Sequence, residues 1–155
     1  MNLIVDTNKI VASLLRDGKV RRVLFLPGLE LYAPKYSLEE IKKHEDFFIS
    51  KTSKTSFEFL LSRIRSKINF IIVNDPEILE QAKSIAKNFD LYDYPFIALS
   101  LKLNAPIWTN DKQMIVYGWR TGEYTALDTR AVEELIKGKS IEEILEGLRK
   151  RYLTE

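Results

Sequence analysis

An apolar run, Leu3-Ile4-Val5, opens the chain and stops at once on Asp6-Thr7-Asn8. No other short segment constrains the fold as much. A continuous apolar run without polar alternation suits a strand buried on both faces, the habit of parallel sheets covered by helices. When such a strand stops on an acid and an amide, both stand at the carboxyl edge of the sheet. Open parallel sheets bind their ligands at that edge. Three further acids stand where apolar stretches end: Glu40, Asp93 and Asp111. Four carboxylates gathered at the mouth of one sheet would suit a hard divalent cation.

The rest of the chain repeats the pattern. Strands are expected at residues 3–5, at 29–33 before Pro34, at 70–73, and at 105–109 ahead of Asn110-Asp111, with an edge strand at 124–127. Helices are expected at 9–15, 20–25, 37–50, 55–66, 76–87, 94–103, 112–117, 129–137 and 141–152. Ser37 followed three residues on by Glu40 reads as a capping box. Phe57, Leu60, Leu61 and Ile64 form one apolar stripe. Repeated β-then-α order within 155 residues predicts a single domain over residues 1–155. The fold class is α/β: a three-layer α/β/α domain around a central, mainly parallel sheet of four to five strands.

Composition removes several functions. The chain has no cysteine, which excludes disulfides, thiolate nucleophiles and zinc sites built on Cys. No apolar run approaches the ~20 residues of a membrane-spanning helix. No signal peptide is read at the N-terminus, so a cytoplasmic location is expected. The net charge of +2 carries no nucleic-acid signature. Locally, residues 16–22 and 51–67 are basic, and Arg63, Arg65 and Lys67 are candidate phosphate contacts. The competing reading of both segments is a solvated helix face.

With these residues in place a resemblance can be stated. Val5-Asp6-Thr7-Asn8 resembles the opening motif of the PIN domain, the nuclease family that includes the VapC toxins of prokaryotic toxin–antitoxin pairs. In that family a first Asp closes strand one, as Asp6 does. A Glu follows on a helix after strand two, as in Ser37-Leu38-Glu39-Glu40-Ile41. A third acid precedes an apolar helix, as in Asp93-Tyr94-Pro95-Phe96-Ile97-Ala98-Leu99. A fourth follows strand four, as in Trp108-Thr109-Asn110-Asp111. Many members carry another acid two residues later, where this chain has Gln113. The resemblance implies an endonuclease for single-stranded RNA that uses Mg²⁺ or Mn²⁺. It also implies a small antitoxin protein as partner and a homodimer.

Each residue has a chemical and a structural reading. Asp6, Asp93 and Asp111 are candidate metal ligands, directly or through water, and Glu40 would ligate or hold a metal-bound water. Asn8 would orient Asp6 or the phosphate, and Thr109 and Asn110 would hydrogen-bond the acids. Against this, Glu40 fits a capping-box acid, with Glu39 as its neighbour. Asp93, Asp111 and Asp128 fit helix caps, and Asp90, three residues before Asp93, fits a solvated loop or an auxiliary acid. His44, the one histidine, stands four residues after Glu40. Trp108 reads as core, and Trp119 as core or a base-stacking ring. Two other functions compete. One is a catalytically weak PIN-fold module that binds nucleic acid or protein. The other is a Rossmann-like phosphatase or phosphotransferase with Asp6 as nucleophile. That chemistry wants an acid where Asn8 stands.

Overall fold

The computed structural model describes residues 1–153. Five strands form one sheet: β1 (Asn2–Val5), β2 (Glu30–Pro34), β3 (Ile68–Ile71), β4 (Ile107–Trp108) and β5 (Ala126–Leu127). Their order is β3-β2-β1-β4-β5, and every pairing is parallel. Leu3, Ile4 and Val5 are fully buried in the central strand. The unbroken apolar run is therefore what a strand covered on both faces requires.

Among the described residues, ten helices surround the sheet. They are α1 (Thr7–Leu15), α2 (Lys19–Leu24), α3 (Lys35–Lys43), α4 (Glu45–Lys51), α5 (Lys54–Lys67), α6 (Pro76–Ala86), α7 (Tyr94–Leu103), α8 (Lys112–Thr121), α9 (Thr129–Ile136) and α10 (Ile141–Tyr152). A 3₁₀ turn, Leu91–Asp93, leads into α7. From β1 the chain crosses to one side of the sheet through α1 and α2. From β3 it returns to the other side through α6 and α7. Right-handed crossovers place these two connections on opposite faces, giving the three layers. Among the described residues no helix is long and apolar enough to cross a membrane.

Three local expectations change. The strand expected at 70–73 runs instead over Ile68–Ile71, where it pairs with β2 from Leu31 to Pro34, and Ile72 is left exposed. The helix expected over residues 37–50 is two helices, α3 and α4, which meet at His44. The break lets α4 turn Phe48 inward, where its ring stacks on Phe57 with centroids 5.6 Å apart. Ser37 is not an N-cap. Helix α3 begins at Lys35 straight after Pro34, and Ser37 is fully buried inside its first turn. Its hydroxyl pairs with that of Thr7 at 2.6 Å, tying α3 to the start of α1. Glu40 is thereby freed of the capping-box role, since that box needs the Ser at the cap.

Candidate active site at the carboxyl edge of the sheet

Strand register builds the centre of the site. Ile4 pairs with Ile107 and Val5 with Trp108, so the next residues on each strand, Asp6 and Thr109, stand side by side. The backbone N–H of Asp6 donates to the Trp108 carbonyl at 3.0 Å. The Thr109 hydroxyl donates to Asp6 Oδ2 at 2.6 Å and accepts from the Asp111 N–H at 3.0 Å. One fully buried side chain thus positions both acids. Strand order reverses between β1 and β4, so this pair lies at the switch point where such sheets open a crevice.

Helix starts fix the remaining carboxylates. Asp6 N-caps α1, with the Asn8 N–H donating to Oδ1 at 3.4 Å. Asp111 N-caps α8 through the Met114 N–H at 3.2 Å, so capping and a place in the acidic group coexist. Asp93 differs. It occupies the cap position of α7, yet its side chain makes no capping hydrogen bond. Asp90, three residues earlier, caps the 3₁₀ turn by accepting from the Tyr92 N–H at 3.0 Å. The cap reading therefore holds for Asp111 and Asp128 but not for the carboxylate of Asp93, while Asp90, expected as a solvated loop residue, is a cap.

Electrostatics show which acids sense one another. Burial, then the charges of Asp90, Asp111 and Asp6, push the Asp93 carboxyl up to about 7. Burial also raises Asp6, with Asp111 adding to it, while hydrogen bonds from Thr109 and Asn8 and the charge of Lys9 oppose the rise. Three aspartates thus form one negatively charged group. Glu40 stands at its margin. Burial, with the charges of Glu40 and Asp93, raises the Tyr36 hydroxyl. Glu40 Oε2 lies 3.8 Å from His44 Nε2, on the exposed flank of α3.

Among the described residues, no three acid or imidazole side chains close tightly enough to enclose a metal ion. The donor set nevertheless suits one. Mg²⁺ keeps several of its waters and is bound through one or two carboxylates rather than an all-protein cage. An aspartate group compensated only by Lys9, with one carboxyl raised to about 7, is the charge a divalent cation neutralises.

Comparison with known proteins settles the family. The sequence profile of the PIN domain matches residues 4–146. The chain belongs to the PIN domain family. Two solved structures share its fold. VapBC2 from Rickettsia felis, solved bound to a DNA fragment from its promoter, superposes with a TM-score of 0.63 at 13% identity, over 83% of this chain and 98% of that one. FitAcB from Neisseria gonorrhoeae gives 0.58 at 15% identity, over the same 83% and 98%. No curated protein matches the chain.

Other candidates of this PIN domain lie elsewhere. Lys67 ends α5 immediately before β3 and donates from Nζ to the Leu26 carbonyl at 2.7 Å, ahead of β2. That is the amino edge of the sheet, opposite the aspartates. Arg63, one helical turn earlier, lies over the Phe25 ring at 4.4 Å, and Arg65 is on the same final turns of α5. The fold does not bring these three to the acids. Asn110 follows Thr109 and is exposed. Trp108 is fully buried, and the guanidinium groups of Arg120 and Arg149 lie over the Trp119 ring, 5.5 and 5.7 Å from its centroid.

Sequence reasoning passed over Lys9. It is only 5% exposed, and burial lowers its ammonium against the opposing charges of Asp6 and Asp128. A lysine three residues after the first Asp, among the buried positions of α1, was the available signal.

A pH dependence follows. Asp93 releases its proton near 3.8 when unfolded and near 7 when folded, so the native state binds more protons between these values. Stability is then fully present below 3.8 and is lost as pH rises through 7. In chelator, the melting temperature is expected to fall from about pH 5 to pH 8, and Asp93→Asn to flatten that fall. Equal slopes in the two proteins would show that the Asp93 charge carries no folding cost.

Proposed function

We propose that this PIN domain is a metal-dependent nuclease that cuts single-stranded RNA and acts as the toxin of a toxin–antitoxin pair. The observation that carries the reading is the group of Asp6, Asp93 and Asp111 at the switch point, where burial, then the charges of Asp90, Asp111 and Asp6, raise Asp93 to about 7. Like charges held together without a counter-ion cost stability, and such arrangements serve sites that bind cations. Mg²⁺ or Mn²⁺ held by these aspartates, with Glu40 at the edge, would supply charge neutralisation and an acidified water.

The chain's own residues do the rest. Thr109 holds Asp6 and the Asp111 backbone in one geometry. The Asn8 N–H orients the second oxygen of Asp6. Lys9 places a positive charge against Asp6 from the protein side and limits the local charge imbalance. The similarity to VapBC2 and FitAcB supports an antitoxin partner. A homodimer and a cytoplasmic setting complete the proposal.

The test is cleavage of an unstructured RNA by purified protein with Mg²⁺ or Mn²⁺, against the same sequence in DNA. RNA loss that needs metal and stops in chelator is the expected result. No cleavage with either metal would favour the binding-module reading, which Gln113 and the open spacing of the acids motivate. The phosphatase reading remains the weakest. Asn8 cannot exchange a proton as that chemistry requires, and it meets Asp6 through its backbone N–H.

A further inference from the structure

A cavity of about 380 Å³ opens between the turn after α6 and one side of α8, with Asn88, Phe89, Lys112, Gln113, Tyr117 and Arg120 among its lining residues. Its walls are helix α8, which Asp111 caps, and the turn that leads to Asp90. Lys112 and Gln113 directly follow Asp111. Asn88 and Phe89 directly precede Asp90, whose charge acts on Asp93. We propose that this cavity seats a nucleotide adjacent to the scissile phosphate, and that Gln113 reads the edge of its base. The inference rests on the nuclease reading above.

The lining has the chemistry of a nucleotide subsite. It combines two cations, two carboxamides and two aromatic rings, with no carboxylate. Phe89 packs on Tyr117 with centroids 5.6 Å apart and on Tyr124 at 6.3 Å, which makes a rigid aromatic floor. Unpaired bases stack on such rings, and their edges are then open to hydrogen bonding. Asn88 is locked in place. The two N–H groups of its amide are shared among the Ser84 and Ile85 carbonyls and the Tyr117 hydroxyl, at 3.1, 3.0 and 3.1 Å. Gln113 is exposed and makes no hydrogen bond to the described residues, so its carboxamide can meet a base edge. Carboxamides pair with bases through one donor and one acceptor.

The cavity's size falls at the small end of ordinary ligand sites. The departure at Gln113 gains a reason here. An acid in its place would add negative charge to the wall facing a phosphate. The carboxamide keeps the lining without a carboxylate, and Arg120 suits the phosphate of the bound nucleotide.

The experiment uses full-length protein and a short, labelled, unstructured RNA. Binding is read by fluorescence anisotropy with Asp6→Asn as the background. Cut sites are mapped by sequencing the products of the otherwise unmodified chain with Mn²⁺. Arg120→Gln is expected to raise Kd about fivefold and to flatten the salt dependence by about 0.7 in log–log slope. Gln113→Leu is expected to change which bases flank the cut. Both residues are exposed, so the fold survives either change, and a thermal melt checks that it does. If RNA is cut but both variants keep the original Kd and cut-site pattern, the subsite is overturned while the nuclease reading stands. If RNA is bound and not cut, and Arg120→Gln weakens it, the cavity is supported as a nucleotide-binding site, and its place beside a scissile phosphate falls with the nuclease reading. If RNA is neither cut nor bound, both are overturned.

Discussion

Asp6→Asn should lower metal-dependent RNA cleavage at least ~100-fold. The substitution keeps the shape of the side chain and removes its charge. An amide oxygen can still accept from the Thr109 hydroxyl or the Asn8 N–H, so the junction of β1 and β4 is preserved. What is lost is one of three aspartate charges at the switch point, the property that would hold the cation and offset charge developing on the phosphate. Since burial raises Asp6, neutralising it relieves a cost in the metal-free fold. The variant should therefore melt at or above the wild-type temperature in chelator. It should gain less than wild type from added Mn²⁺, because a ligand stabilises only through a native-state site. Cleavage that survives both chelator and this substitution would remove Asp6 from the chemistry.

The strands and their order of chemistry were legible because parallel, doubly covered strands write themselves as unbroken apolar runs. Leu3-Ile4-Val5 and Ile107-Trp108 needed no tertiary information. Helix limits were readable where a local signal marks them. Pro76 behind Asp75 opens α6, and Asn104 in the left-handed conformation, with φ of 49°, closes α7. The break at His44 carries no Gly or Pro, because it answers to the distant burial of Phe48 on Phe57. Ser37 misled for the same reason. Its pattern with Glu40 is a valid local cap, yet Pro34 already starts the helix and the hydroxyl is claimed by Thr7, thirty residues away.

The site itself was half legible. Acids at strand ends can be read one by one, and the register that sets Asp6 beside Thr109 follows from both strands stopping together. The raised carboxyl of Asp93 could not be read, since it depends on how three separate loops converge. Nor could the buried ammonium of Lys9, or the place of Arg63, Arg65 and Lys67. Charge in a helix says nothing of which edge of the sheet that helix end meets, and Lys67 meets the amino edge.

The other large effect is expected far along the chain. Arg151→Met should destabilise the fold by on the order of 3 kcal/mol, within the usual range for stranding a buried charge. Asp128 caps α9 through the Ala131 N–H at 2.9 Å. Its two oxygens also accept from Arg151 Nη2 at 2.7 and 2.8 Å, and from the Tyr152 hydroxyl at 3.0 Å. This arrangement fastens α10 to the end of β5. The Asp128 side chain is 12% exposed and that of Arg151 is 23%, so solvent screens the pair only in part. Lys9 on the other side supplies some remaining compensation, which holds the cost to the low end. Urea unfolding should show a lower midpoint at an unchanged slope. In an Asp128→Asn background, which can keep the cap, the same Arg151→Met should cost less than about 1 kcal/mol, because no buried charge is left unpaired. The pH dependence has the opposite sign to that of Asp93. Hydrogen bonds from Arg151, Ala131 and Tyr152 outweigh burial and lower the Asp128 carboxyl. Its contribution is present above 3.8 and is lost as pH falls through the lower folded value. The gap between wild type and Arg151→Met should therefore narrow on acidification. A gap that is the same at pH 3 and pH 7, or the same with Asn at 128, would make Arg151 a packing residue rather than the partner of that charge.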